Sequence, residues 1–329
     1  MANILSYNVQ EYRDEFYQSF SMVYNDFKAR AVSEYKFELE PLPYEDFIES
    51  VKEGLLQCYI LFDSGVPCAF LVYTTLISES VELNLVHVMG DEDANNKRRT
   101  LLEKFVQNNV DLLHEKVVTY PMLGKQGDFV RDITHFGFKL VGHAVVKFSL
   151  SNVGSIRILK GLTLPPLEYP YSMTDWNPEC FDKAVELIHH SFKDMSDALF
   201  DPRFKSISGT TDVVEKITSG TYGEFLGAET KVLLYRDKPI GFCFANLTNP
   251  RIGNIPIVVV DKKYRGRGFS KLLLKTCVDS ILNTAFNQGL ALQEVNACVD
   301  TSNFQAVKMY RAVGFKEDYS YPQAYRPAR

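Results

Sequence analysis

The chain repeats itself across a long distance, and that constrains its fold more than any other feature. Residues 58–76 read as a hairpin, with CYILF, a DSGVP turn and CAFLVYTTL. Residues 231–247 read as the same object, with KVLLY, an RDKP turn and IGFCFANL. Short apolar strands joined by a Gly- or Pro-bearing turn mark a β-hairpin. Pro67 and Pro239 hold the same place in the two and stand 172 residues apart; Gly137-Phe138-Lys139 matches Gly314-Phe315-Lys316 at a separation of 177. So small a drift describes duplication of a whole domain, whereas solenoid repeats recur at roughly 20–50 residues. The 329 residues leave room for two domains of ordinary size.

The segments between these anchors agree. Tyr44–Lys52 reads as a helix ended by Gly54; its counterpart is predicted to start at Asp212, with Glu215 three residues on as a capping box and Gly220 past its end. After each hairpin comes a strand and then a long amphipathic helix. In the first half it covers 97–113, with Leu101, Leu102, Phe105, Val106, Val110 and Leu113 on one stripe. In the second it covers 270–287, with Leu273, Leu274, Cys277, Val278, Ile281, Leu282 and Ala285, and Gly289 terminates it. Prolines 165, 166 and 170 make 161–172 a linker. The expected organisation is a first domain over 1–150, a linker over 151–170 and a second domain over 171–329, in the α/β (α+β) class.

Composition narrows the function. The net charge of −5 and pI near 5.8 supply no global basic field for nucleic acid. No apolar run approaches the ~18 residues that cross a bilayer, and the N-terminus lacks a basic region followed by an apolar one, so a cytoplasmic protein is expected. The six cysteines form no C-x-x-C pair, and the six histidines no H-x-x-x-H. Adjacent His189 and His190 would point about 100° apart on a helix. No metal site is expected, and the thiols read as reduced and buried.

The stretch Ile255–Leu274 carries the chemistry. A β-branched strand runs into a basic, Gly-rich turn, Arg265-Gly266-Arg267-Gly268-Phe269-Ser270, which opens directly into a helix. Backbone N–H groups at such a turn, with the positive end of the helix dipole, suit a pyrophosphate. Gly266 and Gly268 let the backbone approach phosphate oxygens, and Arg265 and Arg267 add charge. The P-loop pattern is absent, and a dinucleotide fingerprint would need a third glycine. What remains is [R/Q]-x-x-G-x-[G/A], with Arg265 first, Gly268 fourth and Ser270 in the sixth place, where Gly or Ala is usual. Downstream, the strand Val295–Asp300 leads into Asn303-x-x-Ala306-x-x-x-Tyr310-x-x-x-Gly314-Phe315.

These two stretches resemble motifs A and B of the GCN5-related N-acetyltransferases (GNAT superfamily), and the resemblance with both motifs covers about residues 231–325. It implies two tandem GNAT-like domains, each a mixed, mostly antiparallel sheet flanked by helices. It also implies acetyl-CoA as co-substrate and an amine of a small molecule or peptide as acceptor. By resemblance, the strand before motif A splays from its neighbour and the backbone of Val258, Val259 and Val260 bonds the pantetheine arm and polarises the thioester. Phe269 belongs to the same loop. Asn303 caps its helix and approaches the pantetheine or diphosphate, and Tyr310 takes the place of the general acid for the departing thiolate. The family's Glu on the strand before motif A is missing, since that strand reads Gly253-Asn-Ile-Pro-Ile-Val. Glu224, Glu294 and Asp300 are candidate bases, and removal of the amine proton through water is equally open.

In the first half, motif A falls at about 88–93, Val-Met-Gly-Asp-Glu-Asp, followed by Lys97, Arg98 and Arg99. Three carboxylates repel a pyrophosphate, so this half is expected to be a degenerate copy and the chain to bind one coenzyme. Asp194, Asp197 and Asp201 lie where the family builds its acceptor loop, and could attract a cationic amine or simply be solvated. Two other functions compete: a catalytically silent acyl-CoA sensor or scaffold, and a peptidoglycan-type aminoacyl transferase with a tRNA donor. The intact Arg/Gly turn and acidic pI argue against the latter.

Overall fold

The structure is a computed structural model that describes residues 7–77, 79–164 and 166–328; Pro165 of the expected linker lies outside the described residues. The chain forms two compact units, residues 1–141 with 321–329 and residues 142–320.

The first unit runs β1 (Tyr7–Glu11), α1 (Tyr17–Arg30), α2 (Tyr44–Lys52), β2 (Gln57–Asp63), β3 (Val66–Thr74), β4 (Ser80–Val88), α3 (Ala94–Asn108), α4 (Val110–Glu115), β5 (Val117–Pro121) and α5 (Phe129–Asp132). Strands β1 to β4 form an antiparallel meander, and β4 then pairs parallel with β5 over only three residues, Ser80–Glu82. One face is covered by α1 and α2 through an aromatic cluster of Phe20, Tyr24, Phe27, Phe47 and Phe70. The other is covered by α3 through Leu101, Leu102 and Phe105. With both faces buried, β2 and β3 are almost continuously apolar, as their sequence requires.

The second unit begins with β6 (Lys139–Ser149), which its unit shares from residue 142, and α6 (Val153–Gly161). It continues with β7 (Tyr171–Asp175), α7 (Phe181–Phe192), α8 (Asp197–Phe200), α9 (Ile207–Thr218), β8 (Glu224–Phe225), β9 (Lys231–Tyr235), β10 (Lys238–Cys243), β11 (Asn246–Asn249), β12 (Ile252–Asn254) and β13 (Val258–Val260). It ends with α10 (Phe269–Gln288), β14 (Glu294–Asp300), α11 (Phe304–Val313) and the start of β15 (Lys316–Arg326), which belongs to the first unit from residue 321. β14 pairs antiparallel with β6 and parallel with β12, and β12 continues to β11 and β8. A second ladder runs β13-β10-β9-β7, all antiparallel. α7 and α9 cover one side; α10 and α11 cover the other.

The repeat is visible in backbone detail. Both hairpins turn on two left-handed residues, Ser64-Gly65 and Arg236-Asp237, the geometry that matches strand twist. Both shift register just after the proline, where Phe62–Pro67 and Leu234–Pro239 give way to Leu61–Ala69 and Leu233–Gly241. Chain order is not followed at the ends, however. The strand that follows the first unit's helices, β6, is built into the second unit's sheet, whereas Gln323–Arg326 of β15 pair with β5 in the first. Within the stretch 151–170, α6 packs Leu159 into the second unit's core. Its Ser155 carbonyl would stand 2.7 Å from any Cβ at Gly314, which ends α11 at φ +107°.

One helix start differs from expectation. Ser206, not Asp212, caps α9, its hydroxyl accepting from Gly209 N at 3.0 Å. Asp212 lies inside the helix and binds Arg203 (2.8 Å) and Lys216 (3.0 Å). The buried Arg203 guanidinium, held also by Asp201 at 2.7 Å, needs that second carboxylate.

Candidate functional site

The two ladders of the second unit part at Pro256. Ile252–Asn254 pair with Glu294–Asn296, and Ile255 N still donates to Asn296 O at 2.9 Å. Pro256 has no N–H to continue, and β13 pairs with β10 alone. Phe244 N bonds Ile257 O (3.0 Å) and Asp261 N bonds Ile240 O (2.8 Å), so residues 257 and 261 face β10. Backbone groups alternate sides along a strand, which turns those of Val258 and Val260 into the gap. Arg265 Nε occupies the Val260 carbonyl at 2.9 Å and so ties the turn to the strand.

At the end of β13, Asp261 caps a short 3-10 turn over Lys262–Tyr264. Gly266 (φ +79°) and Gly268 (φ +83°) then bend the chain into α10. No atom lies within 4 Å of a Cβ built on either, so the space above them is open. Leu272 N is bonded to Gly268 O (3.1 Å) and no side chain caps the helix. The N–H groups of Phe269, Ser270 and Lys271 therefore stand outside the helical ladder, the arrangement that binds anions.

A cleft of ≈ 210 Å³ joins these parts. It is lined by Val258, Val259, Val260, Arg265, Gly266, Gly268, Phe269, Ser270 and Asn303, nine of the residues singled out in the sequence, and by Ser191, Phe192, Met195, Asp197, Tyr264, Gln305, Ala306 and Met309. Asn303 caps α11, its Oδ1 accepting from Ala306 N at 3.1 Å. Arg267 is not in the lining: it donates to the Tyr171 hydroxyl at 2.5 Å and covers the ring of Tyr264. Nor is Tyr310, which is 5% exposed and packs its ring on Phe315 at 5.3 Å. Burial raises its phenol, and Cys243, Cys298, Asp197 and Cys277 within electrostatic reach push the same way.

The three candidate bases lie elsewhere. Glu224 is exposed on β8, and Glu294 pairs with Lys147 at 3.0 Å. Asp300 is buried and accepts from Ser302 N at 2.7 Å. The three acceptor-loop carboxylates separate: Asp194 is exposed, Asp201 is spent on Arg203, and Asp197 faces the cleft. Burial raises the Asp197 carboxyl, against its own backbone hydrogen bond and with Asp300 adding to the rise. Its position in an acidic loop was the signal available in the sequence; which of the three turns inward was not. Among the described residues no group of three or more His, Cys, Asp or Glu side chains could hold a metal, and no helix is long and apolar enough to cross a membrane.

The first unit keeps the backbone of this arrangement with different side chains. Its helix α3 also follows a left-handed residue, but that residue is Asp93 (φ +52°). The Asp93 carboxylate accepts from the Tyr7 hydroxyl at 2.7 Å and Asn96 at 3.1 Å. Lys97 and Arg98 are buried, and Arg98 donates to the Lys125 carbonyl at 2.8 Å.

Comparison with known proteins agrees with this geometry. Residues 194–315 match the model of the acetyltransferase (GNAT) family. No curated protein matches the sequence. Among solved structures, a GCN5-related N-acetyltransferase from Sphaerobacter thermophilus aligns over 98% of this chain and 96% of its own, at 13% identity and a TM-score of 0.63. A tandem GNAT protein from the clavulanic acid biosynthesis pathway aligns over 98% and 99%, at 12% identity and a TM-score of 0.61. Those likenesses establish the fold along nearly the whole chain, and the match to the acetyltransferase (GNAT) family model falls across the stretch that builds the cleft.

Proposed function

We propose that the second unit binds acetyl-CoA and transfers its acetyl, or another short acyl, group to the amine of a small molecule or peptide. The observation that carries this reading is the gap between β13 and β14, closed at one end by a left-handed glycine turn and an uncapped helix N-terminus. The diphosphate would lie against the N–H groups of residues 268–271 with Arg265 beside them, and the pantetheine along Val258 and Val260. The chemistry asks for three things: a neutral amine, a donor to the oxyanion, and a proton for the leaving thiolate. The backbone N–H groups of β13 supply the second and Tyr310, protonated throughout the physiological range, the third. Asp197, a half-buried carboxylate at the cleft, suits an acceptor that arrives as a cation.

A catalytically silent acyl-CoA binder is the second reading, favoured by two facts: Tyr310 is absent from the cleft lining, and so are Glu224, Glu294 and Asp300. Release of free CoA thiol from acetyl-CoA across an amine panel separates the two. Calorimetric binding without release from any amine would favour the silent binder; no binding at all would sink both.

A further inference from the structure

Residues 295, 297 and 299 of β14 pack into the core, so by strand alternation Asn296, Cys298 and Asp300 share its other face. Cys298 stands two residues beyond Asn296, the last position at which β12 pairs with β14. It therefore lies on the stretch of β14 that borders the gap. Four other thiols are buried and Cys180 is partly so, whereas Cys298 is exposed. Its Sγ lies 3.4 Å from Nδ1 of His143, and the antiparallel register sets His143 opposite Asp300.

The electrostatics suit proton transfer from this thiol. Burial lowers the imidazole of His143, with Asp300 opposing in part, so His143 is neutral near pH 7 and can accept a proton. For Asp300, burial is outweighed by hydrogen bonds from Ser196 and Ser302 and by His143, which lower its carboxyl and keep it ionised beside the ring. Cys298 is not itself in the cleft lining; it stands on the strand that borders the gap, and the Tyr310 phenol feels both Cys298 and Asp197, of which Asp197 lines the cleft.

We propose that Cys298, with His143 as its base, is an acyl-accepting site that takes the acetyl group from acetyl-CoA as a protein thioester. This rests on the reading of the cleft as a donor site. His143 Nδ1 takes the Cys298 proton, and the thiolate attacks the acyl carbon. The bond from that carbon to the CoA sulfur breaks, and the departing thiolate takes the proton back from the imidazolium. One thioester replaces another, so no oxidant or further reactant is consumed. Nucleophile and base stand within the reach at which a base activates a cysteine.

The test needs no acceptor. The full chain is incubated with labelled acetyl-CoA alone, then analysed by intact mass and peptide mapping before and after neutral hydroxylamine, which cleaves thioesters and spares amides. CoA binding is measured separately by calorimetry. The expected result is one hydroxylamine-labile acetyl on the Cys298 peptide, absent in Cys298→Ala with CoA affinity unchanged. His143→Gln should slow acylation by roughly 10²-fold or more at neutral pH and make the rate climb with pH as the thiol ionises unaided; a merely structural histidine would not move that profile. Label persisting in Cys298→Ala, or no labile acetyl on a wild-type chain that binds CoA, overturns the inference. A wild type that binds no CoA takes the donor reading down with it, and calorimetry alone shows which has failed.

Discussion

Replacing Gly268 should weaken donor binding far more than folding, and the structure says by how much. The residue sits at φ +83° with no atom within 4 Å of a built Cβ. Gly268→Ala therefore meets no steric obstacle inside the protein and costs only the left-handed conformation, ~1–2 kcal/mol. For a unit of this size that lowers Tm by about 2–4 °C per kcal/mol. The new methyl, however, stands in the open space above the N–H groups of residues 269–271. A hydrogen bond to a charged group is worth about 1.5–3 kcal/mol, so displacing a phosphate oxygen from one of them raises Kd for CoA roughly tenfold or more. Gly268→Val extends the obstruction and should abolish measurable binding. Gly314→Ala is the control: its Cβ would approach the Ser155 carbonyl at 2.7 Å, so it should cost more stability and, in the molecules that stay folded, leave CoA affinity intact. Calorimetry and thermal melting on the three variants read both quantities. Unchanged CoA affinity in folded Gly268→Val would remove the turn from the donor site.

Tyr310→Phe keeps the ring's packing and removes one hydroxyl, so fold and CoA affinity should persist while kcat falls by ~10²–10⁴, the range of general acid catalysis; kcat within about threefold of wild type, with chemistry limiting, would leave the thiolate to another proton source. Because burial raises the phenol, no alkaline limb from it should appear in the pH–rate profile. Titration should saturate at one CoA per chain, and a second equivalent would mean that the Met89–Asp93 turn still binds. His87 is fully buried between Asp26 (3.0 Å) and Tyr35 (2.8 Å), near Arg30 and Glu34. Burial depresses it despite Asp26, so the unfolded chain binds a proton that the native one refuses, and stability should fall as pH drops below about 6.5, by up to ~1.4 kcal/mol per unit. An unfolding free energy flat from neutral to mildly acidic pH would refute that.

What the sequence reveals is local. Proline-marked hairpins, helix stripes and the glycine turn follow from chemistry within about twenty residues, and both long helices start within three positions of where periodicity puts them. The Asp212 cap failed because Arg203, nine residues earlier, is buried and claims that carboxylate; a capping box cannot register a competing partner. The strand exchange, which gives β6 to the second unit and Gln323–Arg326 to the first, leaves no trace in composition, because either pairing satisfies the same alternation. Cys298 and His143 are 155 residues apart, and only the register of β6 on β14 brings them together.

Comparing the two units also separates what the proposed donor site needs from what makes this fold. Both units hold a three-residue parallel contact that ends where the strands diverge, Ser80–Glu82 on β5 and Ile252–Asn254 on β14. Both open the following helix from a left-handed residue. Backbone shape is thus common to the two, and the difference lies in side chains. At Gly268 the helix end is bare; at Asp93 a carboxylate hydrogen-bonded to Tyr7 and Asn96 stands at the entrance to α3. The basic residues diverge in the same sense, for Arg265 is anchored at the cleft while Arg98 is buried and holds the Lys125 carbonyl. Changing Asp93 to Gly would remove one charge, leave Asp91 and Glu92 beside the helix end, and bring no cation forward. The two units therefore differ at several positions together, and a single substitution should not bring coenzyme binding to the first unit.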